Sequence, residues 1–252
     1  MGVIYLFDVD GTLTPPKAKI DEGFASTFSS WLNGKEVYIV SGGSFVRLVD
    51  QLGMGILEKV QGVFACMGNA FYQRREQVSY SGMNEWEIIY ENEFVAPKNL
   101  TRSLNSYVAR SDYPVKTGNH YEIRSGMMNF SIVGRNATPI QRADYAKYDL
   151  EKDDRARIVE KLKKKYDTLD FVIGGAVSID IFNTGNDKSQ VLEKYFNEAI
   201  ESNQVHFVGD RIEFPGNDYS LAIALEQHKN GYAHRVKSWQ DTAELLKTKA
   251  FA

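Results

Sequence analysis

The chain has 252 residues, 43% of them hydrophobic and 25% charged, enough to bury one large core or two moderate ones. Against 30 basic residues stand 33 acidic ones, a net charge of -3 that excludes any general attraction to nucleic acid phosphates or an anionic membrane. Cys66 is the only cysteine, so neither an internal disulfide nor a cysteine zinc site can form. With no signal-peptide pattern and no run of transmembrane length, the expected setting is the reducing cytoplasm.

Val3 to Phe7 is an apolar, aromatic run that reads as a buried strand and stops at Asp8-Val9-Asp10-Gly11-Thr12-Leu13-Thr14. If the strand continues, the i, i+2 spacing aims both aspartates the same way, and Gly11 permits a sharp exit turn. Asp21 caps a predicted helix carrying Phe24, Phe28, Trp31 and Leu32, which ends near Asn33-Gly34. Val37 to Val40 is a second buried strand running into Ser41-Gly42-Gly43-Ser44. Ser44 caps a helix whose apolar face, Phe45, Leu48, Val49 and Leu52, stops at Gly53. Gly62 to Ala65 reads as a third strand, and the alternation of strands and helices predicts a parallel sheet.

From about Ser81 the pattern changes. Trp86, Ile88 and Tyr90 suggest an irregular lead-in, and Leu100, Leu104 and Tyr107 a helix. Strands follow at Tyr121 to Arg124, Met127 to Val133, Phe171 to Ile173 and Val177 to Phe182, with a polar helix over Asp153 to Tyr166. Their alternation predicts an antiparallel sheet backed by helices. After it come a helix from Ser189 to about Ser202, a strand at Val205 to Val208, a helix after Asn217-Asp218, a strand at Tyr232 to Val236 and a last helix. The expected fold is α/β: a doubly wound, mostly parallel sheet core from residues 1–80 and 185–252, with an inserted α+β domain over 81–184 that carries the antiparallel sheet.

Four features converge if the first strands are parallel, since each lies at or beyond a strand's C-terminal end: Asp8 with Asp10, Ser41 to Ser44, Lys188, and Asp210 with Asp218. Carboxylates gathered in one crevice repel unless a cation is bound, and an all-oxygen set suits Mg²⁺. Lys188 and the Ser41 hydroxyl add a positive charge and a donor, which makes the mixture a phosphate site. Phosphoryl transfer needs positioning and electrostatic stabilisation, a carboxylate nucleophile and a second acid to move the proton. Each piece also has a plainer reading: Asp-x-Asp-Gly occurs in calcium loops and surface turns, and Gly216-Asn217-Asp218 resembles a helix cap. His206, inside an apolar strand, reads as a core histidine. Arg102 and Arg110 read as solvated charges on the polar side of their helix.

These motifs resemble the haloacid dehalogenase (HAD) superfamily, whose first motif Asp8 to Thr14 matches without a gap. The resemblance implies that Asp8 is the nucleophile and Asp10 the acid and base. It makes Ser41, with Gly42, Gly43 and Ser44, and Lys188 the phosphate clamp, and Asp8, Asp10, Asp210 and Asp218 the magnesium site. The inserted segment is similar to the eukaryotic-type phosphomannomutases at Ile123-Arg124-Ser125-Gly126-Met127-Met128-Asn129-Phe130-Ser131, Val133-Gly134-Arg135, Arg142, Ile173-Gly174-Gly175 and Ser178-Ile179-Asp180-Ile181-Phe182. Thr14-Pro15 and Lys19-Ile20 extend it, and it runs from about residue 3 to 247.

That similarity implies a cap domain in which Lys17, Arg124, Asn129, Arg135, Arg142, Ser178 and Asp180 bind a small hexose phosphate. It also implies hexose 1,6-bisphosphate as activator and a homodimer paired through the cap. Ser178 and Asp180 share one strand face, suited to sugar hydroxyls, and arginine forks suit a phosphate held away from the metal. The implied activity is interconversion of mannose 6-phosphate and mannose 1-phosphate, with the glucose pair as a further substrate. A HAD sugar phosphatase and a noncatalytic sugar-phosphate sensor are the alternatives. The chain departs from the family at Lys17, where the relatives carry arginine, at Cys66-Met67 in place of Glu-Asn, and at Asn186 in place of an aromatic residue.

Overall fold

A computed structural model describes residues 2–74 and 86–251. The chain forms two compact units, one made of residues 1–91 and 186–252 and the other of residues 92–185. The boundary expected at residues 80 and 81 lies outside the described residues.

The first unit is built on β1 (Val3–Phe7), followed by α1 (Glu22–Trp31), β2 (Glu36–Val40), α2 (Phe45–Leu52), α3 (Met54–Leu57), β3 (Gly62–Ala65), β4 (Ala70–Arg74) and β5 (Trp86–Glu91). The second unit contains α4 (Leu100–Arg110), β6 (Tyr121–Arg124), β7 (Met127–Phe130), α5 (Pro139–Lys152), α6 (Asp154–Lys163), β8 (Leu169–Gly174) and β9 (Ser178–Asn183). The chain then returns to the first unit with a π-helical turn at Leu192–Phe196, α7 (Ala199–Ser202), β10 (Gln204–Gly209), α8 (Tyr219–Glu226), β11 (Gly231–Arg235) and α9 (Trp239–Leu245).

The large sheet has the order β11-β10-β1-β2-β3-β4-β5, with the first five strands parallel and the last two antiparallel. Both faces of β1 are covered, which is why its sequence is apolar throughout rather than alternating. Ile4 and Leu6 pack with Phe196, Phe207, Leu221 and Leu225 on one side. On the other, Tyr5 and Phe7 meet Trp31, Phe28 and Phe251. Helix α1 starts where expected, with Asp21 accepting from the Phe24 amide at 3.0 Å, and Phe24 stacks on Trp239 of α9. His206 is buried against Tyr232 and His234, as a core histidine.

Trp86 to Glu91, expected as an irregular lead-in to the inserted domain, is instead an edge strand of the large sheet, paired with β4 through a register shift at Phe71 and Tyr72. The second unit therefore begins at Asn92. Its four-stranded sheet, β6-β7-β9-β8, is wholly antiparallel. The helix side of this sheet buries Met128, Phe130, Phe171, Ile179 and Ile181 with Leu104, Tyr145, Ile158 and Leu162. Helix α5 is not among the predicted elements. Its signal is a capping box, in which Thr138 Oγ1 accepts from the Gln141 amide and Gln141 Oε1 accepts from the Thr138 amide, with Pro139 in the first turn. No helix among the described residues is long and apolar enough to cross a membrane.

Candidate active site

Asp8 follows the last residue of β1, and its amide donates to the Val208 carbonyl of β10 at 2.9 Å. The neighbouring parallel strands end beside it, so Ser41 after β2 and Asp210 after β10 arrive at the same sheet edge. Ser41 is buried, and its Oγ accepts from the Gly43 amide at 3.1 Å, which folds Ser41 to Ser44 into a tight turn. Ser44 then occupies the N-cap position of α2. The 210–218 loop is closed by the Arg211 amide, which donates to Asp218 Oδ2 at 3.0 Å, bringing Asp218 back to Asp210.

Lys188, fully buried, donates to Asp8 Oδ1 at 2.6 Å and to Asp218 Oδ1 at 2.5 Å. Asp218 thus has both oxygens engaged. Asp8 Oδ2 accepts no protein hydrogen bond among the described residues, so one oxygen of the expected nucleophile is available. Burial lowers the Lys188 value, but the Asp218 and Asp8 charges outweigh it and hold the ammonium above its ordinary range. Burial pushes the Asp8 carboxyl well up; Lys188 pulls it back, while Asp218 and Asp210 add to the rise. Asp210 is lifted to about 6 by burial and by the Asp218 charge.

One carboxylate oxygen each from Asp8, Asp210 and Asp218 lie within 4.8 Å of one another. Lys188 pairs with Asp8 and Asp218, and Arg211 Nε lies 3.6 Å from Asp210 Oδ2; burial first, and the neighbouring carboxylate charges after it, raise Asp8 and Asp210. A hard divalent cation fits this all-oxygen donor set. Gly11 lies alongside with φ 90°, and a Cβ there would fall 2.5 Å from Asp210 Oδ2, so the turn admits only glycine.

Asp10 is not in this group. The resemblance implies a place for it in the metal site, and the common direction expected for the two aspartates requires a strand running on past Asp8, whereas the chain coils immediately. The amides of Thr12, Leu13 and Thr14 all turn back to the Val9 carbonyl. The Asp10 carboxylate is held instead by Arg47 Nη2 at 2.8 Å, Gln51 Nε2 at 2.9 Å and the backbone amide of Lys17 at 2.5 Å. Lys17, with φ 62°, thus approaches the site through its main chain. Arg47 and Gln51 are absent from the predicted site. A signal was present in Gln51, a polar residue at helical spacing among Leu48 and Leu52 that proves to be buried.

Cys66 and Met67, the departure after β3, are both buried with positive φ, 53° and 64°. The Met67 amide donates to the Ser41 carbonyl at 2.9 Å and Asn217 Nδ2 lies 3.8 Å from its Sδ, so this loop packs against both the Ser41 turn and the 210–218 loop.

In the second unit, Glu122, Asn129 and Asp180 stand opposite one another on β6, β7 and β9. They form a polar row on the face away from the helices. Asn129 Nδ2 donates to Asp180 Oδ1 at 2.5 Å, and Arg135 Nη1 donates to Asn129 Oδ1 at 2.5 Å. Glu122 accepts from Arg124 Nη2 at 2.8 Å and from Arg135 Nη2. Four predicted residues, Arg124, Asn129, Arg135 and Asp180, therefore meet on one face. Glu122, which joins the two guanidinium groups, was not predicted; its place opposite Asn129 depends on strand register. Ser178 lies two residues from Asp180 at the start of β9 and is buried. Arg142 donates through Nε to the Ala137 carbonyl and through Nη2 to the Arg135 carbonyl, each at 3.0 Å. That braces the turn carrying Arg135.

The sequence profile of the eukaryotic phosphomannomutases matches residues 26–251. A phosphomannomutase of Saccharomyces cerevisiae is 31% identical over 245 residues, covering 96% of this chain and 92% of that protein. One from Dendrobium officinale is 33% identical over 251 residues, covering 98% and 93%. Among solved structures, a HAD subclass IIB sugar phosphatase aligns over all of both chains with a TM-score of 0.57 at 12% identity. Plasmodium falciparum IMP-nucleotidase aligns over 98% of this chain and 70% of its own, with a TM-score of 0.63 at 17% identity. Those two likenesses establish the HAD fold. The profile match and the near-full-length relatives show that the chain, with its HAD fold, belongs to the eukaryotic phosphomannomutase family.

Proposed function

We propose that this protein is a Mg²⁺-dependent phosphomannomutase that interconverts mannose 6-phosphate and mannose 1-phosphate, with the glucose pair as a further substrate. The observation that carries the reading is Asp8, with one oxygen tied to Lys188 and the other unengaged, in a carboxylate cluster with Asp210 and Asp218. In the proposed cycle Asp8 Oδ2 attacks a phosphoryl group of hexose 1,6-bisphosphate. The bond from phosphorus to the sugar oxygen breaks, and Asp10 gives the leaving oxygen its proton. Phospho-Asp8 then passes its phosphoryl to a hydroxyl of a hexose monophosphate, whose proton returns to Asp10, and the bisphosphate is regenerated.

Lys188 and the Ser41 turn steady the transferring oxygens, and Arg47 with Gln51 orients Asp10. Mg²⁺, held by Asp8 and Asp210 with Asp218 behind them, supplies charge neutralisation when bound. The Arg124 and Arg135 forks recognise a substrate phosphate, and Asn129 with Asp180 the sugar hydroxyls. We read the enzyme as a cytoplasmic homodimer paired through its 92–185 unit.

The test is incubation with Mg²⁺ and mannose 1-phosphate, with and without catalytic hexose 1,6-bisphosphate, following mannose 6-phosphate and free phosphate. Isomer formation stimulated by bisphosphate is expected. Release of free phosphate alone would replace the mutase with a phosphatase, and binding without turnover would make the protein a sensor.

A further inference from the structure

Within the second unit, a groove of about 670 Å³ runs between α4 and α6. Arg102 and Arg110 line it from α4, and Arg157, Lys161 and Lys165 from α6 and the residues just after it. Among the described residues only two carboxylates, Asp112 and Asp154, share the lining. These are close enough for their charges to interact, and Asp154 also takes the Tyr145 hydroxyl at 3.1 Å and Arg157 at 3.7 Å. That end of the groove is therefore the acidic one.

The other end is not. Lys165 Nζ donates to Ser103 Oγ at 2.7 Å, and Ser103 Oγ lies 2.8 Å from the Tyr166 hydroxyl, so an ammonium is fixed at the rim by a nearly buried serine. Neither Arg102 nor Lys161 makes an ion pair among the described residues. The spacing on α4 sets Arg102 and Ser106 on one face, about 6 Å apart along the axis. Lys161 shares the field of the exposed Glu160, yet Arg102 on one wall and Lys161 and Lys165 on the other raise the positive potential in the concavity, although the whole chain carries a net charge of -3.

We propose that this groove binds a small phosphorylated anion carrying at least two negative charges, held by Arg102, Ser106, Lys161 and Lys165, with Tyr107 and Ile158 against its uncharged part. The volume is that of a small-molecule site, and guanidinium, ammonium and hydroxyl donors together suit phosphoryl oxygens. This assigns a binding role to Arg102, which reads from sequence as a solvated charge. The groove shares no lining residue with the Asp8 carboxylates, and within the second unit the Glu122–Asn129–Asp180 row lies on the opposite face of the small sheet.

Lysine acetylation of the full chain, followed residue by residue by mass spectrometry, tests the proposal with inorganic pyrophosphate as the probe and sodium chloride at matched ionic strength as the control. Pyrophosphate at millimolar concentration should slow Lys161 and Lys165 at least about threefold while Lys163 and Lys164, on the same helix end outside the groove, keep their rates. Arg102→Ala should return both lysines to their unprotected rates. Unchanged rates at Lys161 and Lys165, equal slowing of Lys163 and Lys164, or protection matched by chloride would each overturn the site. The readout is independent of turnover, so it stands apart from the phosphomutase reading.

Discussion

Lys188 donates to Asp8 Oδ1 at 2.6 Å across a separation of 180 positions in the chain, and both side chains are buried. Bridging Asp8 to Asp218, this ammonium offsets part of the negative charge of the carboxylate group. An ion pair so far from water holds the two segments that frame the inserted unit in one place.

Lys188→Met should therefore damage both stability and activity. Leaving two buried carboxylates without their cation is expected to cost about 3–5 kcal/mol, read by denaturant unfolding. Turnover, corrected for the folded fraction, should fall at least about a hundredfold, because a charged donor to the phosphoryl site is gone. A folded variant with undiminished turnover would remove Lys188 from the site.

Metal dependence should be visible in stability as well as rate. Adding Mg²⁺ to chelator-treated protein is expected to raise Tm, since a ligand that binds only the folded state stabilises it by mass action. Asp210→Asn should weaken that rise by reducing Mg²⁺ affinity at least about tenfold. The same Mg²⁺ response in wild type and variant would place the ion elsewhere.

Arg155 is a structural arginine of the second unit. It donates through Nε to Asp149 Oδ2 at 2.8 Å, and through Nη1 to the carbonyls of Gly174 and Gly175 at 2.9 Å and Ser178 at 3.2 Å. The β8–β9 turn is thus pinned to the α5–α6 junction. Arg155→Met leaves the buried Asp149 unpaired and should cost about 3–5 kcal/mol by chemical denaturation. Arg155→Lys keeps the charge but loses the fork, and should fall between wild type and Arg155→Met.

His206 should make stability fall on acidification. Burial, with His234 beside it, lowers its folded value to about 4 from the ordinary 6.5. As pH drops, the unfolded chain takes up this proton first, so the histidine's contribution is complete above pH 6.5 and is lost progressively towards pH 4. Unfolding free energies measured across that window should show a loss of about 2 kcal/mol that His206→Phe reduces. An unchanged pH slope in the variant would assign the dependence to other groups.

Much of the catalytic layout is legible without coordinates because it is local. An apolar strand followed by Asp8 and a glycine turn, a Ser41 turn after a second strand and Asp210 after another all end at one edge once the strands are parallel. The missing elements depended on context: α5 announces itself by its cap rather than an apolar face, and β5 is recognisable only by its pairing with β4. Glu122 escaped because its meeting with Arg124 and Arg135 is set by register across β6 and β7 and by the turn that carries Arg135.

The sequence by itself determined which motif residues follow which strands, the order in which they occur and the strand ends that present them. Only the tertiary structure decided how the two motif aspartates divide. The coil after β1 sends Asp10 to Arg47 and Gln51 while Asp8 stays with Lys188, Asp210 and Asp218. The physical reason is that i, i+2 alignment holds only in extended backbone, and the Val9 carbonyl, capturing the amides of the next turn, ends the extension at the site.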